Sequence, residues 1–321
     1  MYHTAGVQLT KVKGLPMKKF ILFLFGTVLI NAREFIGKVP LVENARQVHF
    51  SGSHLNSPEL LHNILYYQNW GELFTYLQVH WFRVLFAAIT VTVLIVFVLH
   101  YLVIGPKVFS HEGRKFYIFS FFKRVIHWIA ALAFVLIVPT GFMMLFGKYL
   151  GGGDLVLYAR YLHSIGTVIF IVAVIPMFLM WLVPMLPTFD DIKWLFIAGG
   201  YLTKKKMEVP AGKFNAGQKM WFWLATLGGF VMILSGAVMY FQDFDIAFVK
   251  NIGFDQIDID RIAAIVHNFL GMAIAALFIT HLYMSIFAIK GSLDSMISGY
   301  KSEDELKHLH SSFYKKLIGK K

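Results

Sequence analysis

The sequence predicts an all-α integral membrane protein, and three observations carry that expectation. Hydrophobic residues make up 57% of the 321 and charged residues only 15%, with a mean hydropathy of +0.63. Soluble domains run nearer half apolar and a quarter charged, so the composition argues against a soluble globular protein and excludes disorder. Five apolar runs reach the roughly 20 residues that a bilayer crossing needs. The basic residues behind the net charge of +12 fall between those runs, a placement that reports orientation rather than a nucleic-acid partner. There is no cysteine. Its absence removes disulfides, iron–sulfur ligation, thiolate zinc sites, cysteine nucleophiles and covalent c-type haem attachment.

Taken in order, Phe20–Ile30 is too short to span comfortably. It follows Lys18 and Lys19 and ends near Ala32, the charged, apolar and small-residue pattern of a secretory leader. Residues 1–32 are therefore read as a signal-like segment, with Met17 as an alternative start and an uncleaved anchor as the alternative role. Residues 33–80 are polar and include a helical-looking piece, Ser57–Leu77, opened by Ser57 and Pro58 as cap and first turn. The expected spans are Trp81–Ile104, Val125–Phe146, Tyr158–Val183, Met220–Phe241 and Ile262–Ile289. The first stands apart as an extra N-terminal transmembrane helix. Residues 105–290 form a four-helix core, and 291–321 a basic tail.

Loop charge sets the expected topology. Lys107, Arg114, Lys115, Lys123 and Arg124 follow the first span, and Lys193, Lys204, Lys205, Lys206, Lys213 and Lys219 separate the third from the fourth. The tail is also basic. The loop before the last span carries Asp243, Asp245, Asp255, Asp258 and Asp260. The chain is thus expected to be a multi-pass membrane protein, with residues 33–80 outside the cytoplasm and the C-terminus inside.

Four of the thirteen histidines fall within expected spans in a depth-matched set. His127 lies near the inner end of the second span and His163 near the outer end of the third. The last span holds His267 near its outer end and His281 toward its inner end. An ionisable side chain in a span is costly and is a functional candidate by default. His267 and His281 are fourteen residues apart; at ~100° and ~1.5 Å per residue they share one face, ~21 Å apart along the axis. Depth then pairs His163 with His267 and His127 with His281. Two stacked bis-histidine pairs are what two b-type haems require, with the four imidazoles as axial ligands of the haem iron and electron transfer as the use. Any one of these histidines alone reads equally as a hydrogen-bonded packing residue. Gly166 and Gly271, on the same faces as His163 and His267, leave room either for a macrocycle or for a neighbouring helix. His80 and His100 lack a depth-matched partner and are read as interfacial or hydrogen-bonded. His3, His49, His54, His62, His111, His308 and His310 are expected in solvent.

Before the fourth span runs Lys213-Phe214-Asn215-Ala216-Gly217-Gln218-Lys219. Its uncharged donors and acceptors suit a quinone carbonyl at the bilayer edge. The plainer reading is a capped helix start.

With these segments quoted, a resemblance emerges. Phe122-Lys123-Arg124-Val125-Ile126-His127-Trp128, Tyr161-Leu162-His163-Ser164-Ile165-Gly166, the Asn215–Lys219 run, and His267-Asn268-Phe269-Leu270-Gly271 through His281-Leu282-Tyr283 resemble the cytochrome b (gamma) subunit of respiratory membrane-bound formate dehydrogenase. The resemblance implies a four-helix di-haem cytochrome b bundle. His163 and His267 would ligate the periplasmic-side haem, and His127 and His281 the cytoplasmic-side one. Asn215, Gly217 and Gln218 would line a menaquinone-type (or ubiquinone) site beside His281. It implies as partners a catalytic molybdopterin subunit and an iron–sulfur subunit, with this chain passing electrons from formate oxidation to quinone in anaerobic respiration and taking protons from the cytoplasm. The chain would not itself oxidise formate; without cysteine it cannot hold the iron–sulfur relay. The shortest relatives begin near the equivalent of residue 115, so residues 1–104 are additional. The rival readings are the cytochrome b subunit of a nickel–iron hydrogenase or thiosulfate-reductase-type complex and, from another class, a transporter whose histidines relay protons.

Overall fold

A helix satisfies every backbone hydrogen bond within its own segment, which is why long apolar runs fold as helices in a bilayer. The computed structural model describes residues 70–241 and 256–319, all within the second of two units of the chain, Ser51–Lys321. The leader 1–32, the stretch to residue 69 and the acidic residues Asp243, Asp245 and Asp255 lie outside the described residues. Five helices among the described residues are long and apolar enough to cross a membrane: α1 (Trp70–Val103), α2 (Phe121–Leu145), α3 (Gly153–Trp181), α5 (Ala216–Tyr240) and α6 (Gln256–Ala288). A short amphipathic helix, α4 (Phe189–Phe196), joins α3 to α5. The tail adds α7 (Asp294–Ser298), α8 (Glu303–Leu309) and α9 (Ser311–Ile318). The protein is all-α and multi-pass, as the composition predicts.

The first span differs from its expected start. It runs without a break from Trp70, passing through a π-helical turn at Leu77–Trp81 where a separate external piece was expected to end. No proline or glycine lies between Glu72 and Ile104, so nothing stops helix propagation, and the wider turn absorbs the change of register. One face of α1 packs on the core helices. Phe82 meets Phe269 edge-on at 5.5 Å, Phe86 meets Phe142 at 4.4 Å, and Phe97 stacks on Tyr283 at 4.3 Å. The opposite face, including Val91, Leu94, Val98 and Leu102, is exposed, as a lipid-facing surface is.

The bundle of α2, α3, α5 and α6 shares one apolar core built from Ala133, Phe134, Phe170, Val174, Ala225, Ile274 and Phe278. A second cluster, around Ile126, Ala130, Ala173, Met177, Trp181 and Phe222, fills the basic end. The α2–α3 seam is lined by Ala130, Ala133, Gly166 and Ala173, all buried. Small residues let helix backbones approach closely where no hydrophobic drive exists between them.

The basic end is folded over rather than left as loops. A parallel pair joins β1 (Lys107–Val108) to β3 (Ile289–Lys290), and an antiparallel pair joins β2 (Lys115–Tyr117) to β4 (Tyr300–Ser302). The tail then straps the approach to α5: Val209 N–H donates to the His308 carbonyl, Ser311 N–H to Val209, and Phe313 N–H to Ala211, at 2.7, 3.1 and 3.1 Å. Several basic residues of the loops and tail are buried here. Lys107 donates to the carbonyls of Thr203 and Lys205, and Lys301 pairs with Glu305. His310, expected in solvent, is corrected: it is 2% exposed, and its Nδ1 donates to the Gly212 carbonyl at 2.9 Å. The strap places it under the chain, where desolvation decides its charge. His308 sits half-buried against Asp304, while His111 is exposed as expected.

Burial first, and Lys301 second, push the His310 imidazole down to about 3 from 6.5. A histidine lowered on folding supports the folded state fully above its unfolded value and loses that support as pH falls from 6.5 toward 3. Near pH 5 the loss is roughly 2 kcal/mol, or about thirtyfold in local opening. Amide exchange at Val209, Ser311 and Phe313, corrected for intrinsic rate, should therefore rise on going from pH 7.5 to 5. The rise should be much smaller in His310→Asn. An unchanged profile in the native chain would show that the imidazole does not govern the strap.

Candidate functional site: two facing histidine pairs

The bundle brings all four span histidines together in the pairs that depth predicts. His163 of α3 faces His267 of α6 with ring centres 6.3 Å apart, and His127 of α2 faces His281 of α6 at 6.2 Å. The ring planes are tilted by 57° and 58°. Because α6 is regular α-helix from Gln256 to Leu282, the two pairs stand ~21 Å apart along it.

The surroundings of the His163/His267 pair repeat a local pattern. His163 Nδ1 lies 3.0 Å from the Ile137 carbonyl and 3.1 Å from Thr140 Oγ1. A carbonyl only accepts, so Nδ1 carries the proton and Nε2 keeps a free lone pair. His267 Nδ1 lies 3.0 Å from Ser235 Oγ, with the Met232 carbonyl as a further acceptor. Thr140 and Ser235 each donate back to the carbonyls three and four residues earlier, which turns their lone pairs to the imidazoles. Each hydroxyl is followed by a glycine, Gly141 or Gly236. A side chain at either would meet the imidazole Cε1, at 3.7 Å from His163 and 3.5 Å from His267. Two stretches, Ile137–Gly141 on α2 and Met232–Gly236 on α5, thus hold two rings in the same way. The sequence reading missed all four of these residues and saw no repeat. The available signal was a hydroxyl–glycine dipeptide inside each of two spans.

At the other pair, Trp221 of α5 stacks on His281 with centres 5.6 Å apart and planes 19° apart. Trp128 stands edge-on to His127 at 5.5 Å, fixed by its Nε1–H to the Met296 carbonyl at 2.9 Å. His127 Nδ1 is buried without a partner. Between the pairs lie Phe134, Phe170, Phe278 and Trp221, with Phe134 stacked on Phe278 at 5.4 Å. This aromatic layer fills the apolar core between the two sites.

The donor set fits an axially ligated macrocycle. With a metal–nitrogen bond of about 2 Å and about 1.1 Å from nitrogen to ring centre, two axial imidazoles stand with centres roughly 6 Å apart. Both pairs match that separation. Among the described residues no group of three or more His, Asp or Glu side chains could hold a bare metal ion. Two ligands complete the coordination of a haem iron, whereas a bare zinc site wants at least three from the protein.

The two glycines singled out from sequence separate. A Cβ on Gly166 would stand 2.8 Å from Ile137 and 3.0 Å from Leu136 of α2, so Gly166 serves helix packing. One on Gly271 would meet only Met232 Cε, at 3.6 Å. His100 has a hydrogen-bonded role: Nε2–H donates to the Tyr201 carbonyl at 2.9 Å, and Nδ1 accepts from the Tyr283 hydroxyl at 2.6 Å. His80 is exposed beside Tyr76.

The Asn215–Gln218 run forms a capping box on α5. Gln218 N–H donates to Asn215 Oδ1 at 2.9 Å, and Asn215 N–H donates to Gln218 Oε1 at 3.0 Å. The run is therefore a capped helix start, and both amide oxygens are used. The side-chain NH2 groups remain as donors, and that of Asn215 bonds the Tyr201 phenol. Gly217 lies under Trp194 of α4, whose ring would be 3.1 Å from any Cβ.

Residues 118–299 match the family described as prokaryotic cytochrome b561. The chain is 27% identical to the formate dehydrogenase cytochrome b556(fdo) subunit of Escherichia coli K12 over 202 residues, 61% of this chain and 90% of that protein. It is 27% identical to the nitrate-inducible cytochrome b556(Fdn) subunit of the same organism over 62% of this chain and 89% of that one. The cytochrome b556 subunit of Haemophilus influenzae formate dehydrogenase is 26% identical over 61% and 80%. The resemblance read from the sequence is thereby borne out.

The packing difference between the glycines is directly measurable. Gly166→Ala should lower stability by about 1–3 kcal/mol through overpacking against α2, read as a lower thermal midpoint of the detergent-solubilised protein. Gly271→Ala should change it little. Equal effects would remove the distinction.

Proposed function

The chain belongs to the prokaryotic cytochrome b561 family, and on that premise we propose that it is the electron-transferring membrane subunit of a formate dehydrogenase, holding two b-type haems and reducing a quinone. The observation that carries the reading is the pair of imidazole gaps, each about 6 Å between ring centres, within a multi-pass bundle. The names of its relatives favour formate as the electron source.

A haem held by two of these imidazoles would supply reversible one-electron transfer. The protein's residues do the rest. His163 and His267 would hold one group, each imidazole fixed by a carbonyl and a hydroxyl so that Nε2 faces the gap; such outer partners orient metal ligands and raise their basicity. His127 and His281 would hold the other, with Trp221 flat against His281. The aromatic layer between them keeps most of the intervening core apolar.

In this reading electrons arrive from molybdopterin and iron–sulfur partner subunits at the His163/His267 end. They leave at the His127/His281 end, beside the basic cap. The Lys- and Arg-rich loops favour a cytoplasmic position for that end, from which the protons consumed by a menaquinone or ubiquinone would come. Moving each charge inward works against the membrane potential and stores ~2.3 kcal/mol per 100 mV. The Asn215 and Gln218 amides, on the first turn of the helix that carries Trp221, supply donors to a quinone carbonyl. A carbonyl becomes more basic as it is reduced, so a donor there favours the reduced form more than the oxidised one.

Haem content tests the assignment. His163→Ala should lose one haem and keep the other, and His127→Ala should lose the one that His163→Ala retains. Pyridine haemochrome content and the midpoint potential of the remaining haem distinguish the two. If each single change strips both haems from a folded, inserted chain, the independent pairs fail. At the quinone, Gln218→Ala should slow reduction roughly two- to tenfold, the worth of one neutral hydrogen bond, with both haems retained and more reduced in steady state. Wild-type rate and affinity would place the site elsewhere.

A further inference from the structure

A buried ion pair stands at the start of α5 and belongs to neither histidine pair. Lys219 Nζ donates to Asp191 Oδ2 at 2.7 Å, with the two side chains 7% and 12% exposed. The same carboxylate oxygen accepts from the Thr188 backbone N–H at 2.6 Å and from the Thr188 hydroxyl at 3.0 Å. Lys219 also reaches Thr188 Oγ1, at 3.3 Å. Three donors thus converge on one oxygen of Asp191. The other, Oδ1, is buried with no partner.

That arrangement is expensive as a fastening alone. A buried ion pair often stabilises no more than apolar residues of similar volume, and an unsatisfied buried acceptor costs a further ~1–3 kcal/mol. An ammonium has three N–H groups, and two are accounted for here. The pair therefore keeps one acceptor and one donor in reserve.

Its place gives the reserve a use. Lys219 follows Gln218 directly and precedes by two residues Trp221, whose ring stacks on His281. Asp191 lies one helical turn before Trp194, which covers Gly217. The same α4–α5 contact therefore carries the ion pair and the candidate quinone residues. Asp191 lies on α4, within the folded layer at the basic end.

We propose that Lys219, held by Asp191, is the proton donor to the reduced quinone, and that Asp191 Oδ1 receives the water that restores its proton. This rests on the quinone reading above. The balance is quinone plus two electrons plus two protons giving hydroquinone. The electrons come from the formate-derived supply. For each proton, a Lys219 N–H bond breaks as a quinone O–H bond forms, and the neutral amine then regains its proton from hydronium in the bulk solvent, relayed through the water at Asp191, so that both protons of the hydroquinone come from solution and the relaying water is left unchanged.

The test uses the intact complex with menadione as acceptor, in Lys219→Met and in the double variant Lys219→Met/Asp191→Leu. Menadione reduction should slow roughly a hundredfold, the usual worth of a positioned proton donor, with an increased solvent deuterium isotope effect. Haem content and menadione affinity should stay as in the native complex. The double variant guards against misfolding, since it removes both charges together and should restore thermal stability. If it also restores turnover, the pair is a fastening and the proposal falls. Loss of menadione binding in either variant would make the pair a binding element and equally overturn it. Failure of the quinone reading has its own mark: Asn215→Ala and Gln218→Ala leave menadione binding and turnover untouched. If those variants are slow while the Lys219 variants run at native rate, only the proton-donor assignment fails.

Discussion

The structure depends on keeping four imidazoles at fixed separations inside an apolar bundle. Each is a polar group where water cannot reach it, so each needs a partner or incurs a desolvation cost of several kcal/mol. One helix, α6, supplies one member of both pairs, and its regularity from Gln256 to Leu282 makes their spacing a property of helix geometry. The other members come from α2 and α3, whose small-residue seam brings them close. Gly166 matters because the α2 backbone and side chains lie where its Cβ would be; widening that seam would shift His163 and His127 together.

Second partners for the imidazoles are uneven between the two ends. At the His163/His267 end, Thr140 and Ser235 answer each other across the bundle, each in register with a carbonyl three residues earlier and a glycine immediately after. A hydroxyl that donates to its own helix and accepts from a neighbouring imidazole settles the ring's tautomer without adding charge. At the other end the rings are held by tryptophan faces and edges, and His127 Nδ1 has no protein partner. The imidazoles at the first end are thus more fully hydrogen-bonded than those at the second, which stand near the polar cap.

The basic end is a small folded layer in its own right. Two short strand pairs, the strap from α8 and α9, and α4 together fix the approach to α5. Their interior contains Lys107, Lys219, Lys301 and His310, residues whose charge or polarity the chain buries only because carbonyls and carboxylates meet them. Phe189 and Phe196 of α4 remain highly exposed; they lie on the face turned away from Asp191 and Trp194, so α4 presents an apolar side outward and an ion pair inward. Through Tyr201 and Tyr283, His100 ties the additional helix α1 to this layer and to the segment just past His281.

The sequence by itself determined the class of fold, the number and approximate bounds of the spans among the described residues, and the pairing of His163 with His267 and of His127 with His281. Those features follow from hydrophobic run length and from a periodicity that any straight helix must obey, so no knowledge of neighbours was needed. The same logic could not reach Thr140, Ser235, Gly141 or Gly236, because a hydroxyl and a glycine inside a span look like ordinary packing until the imidazole of another helix is beside them. Nor could it see that Lys219 and His310 are buried, since loop charge reads as solvated unless the chain folds back over it. Continuity of α1 through Leu77–Trp81 was likewise lost to a polar residue pattern that a π-helical turn absorbs. What only the tertiary structure decided is which polar atoms meet across helices, because distance between residues far apart in sequence is set by packing and leaves no periodic trace along the chain.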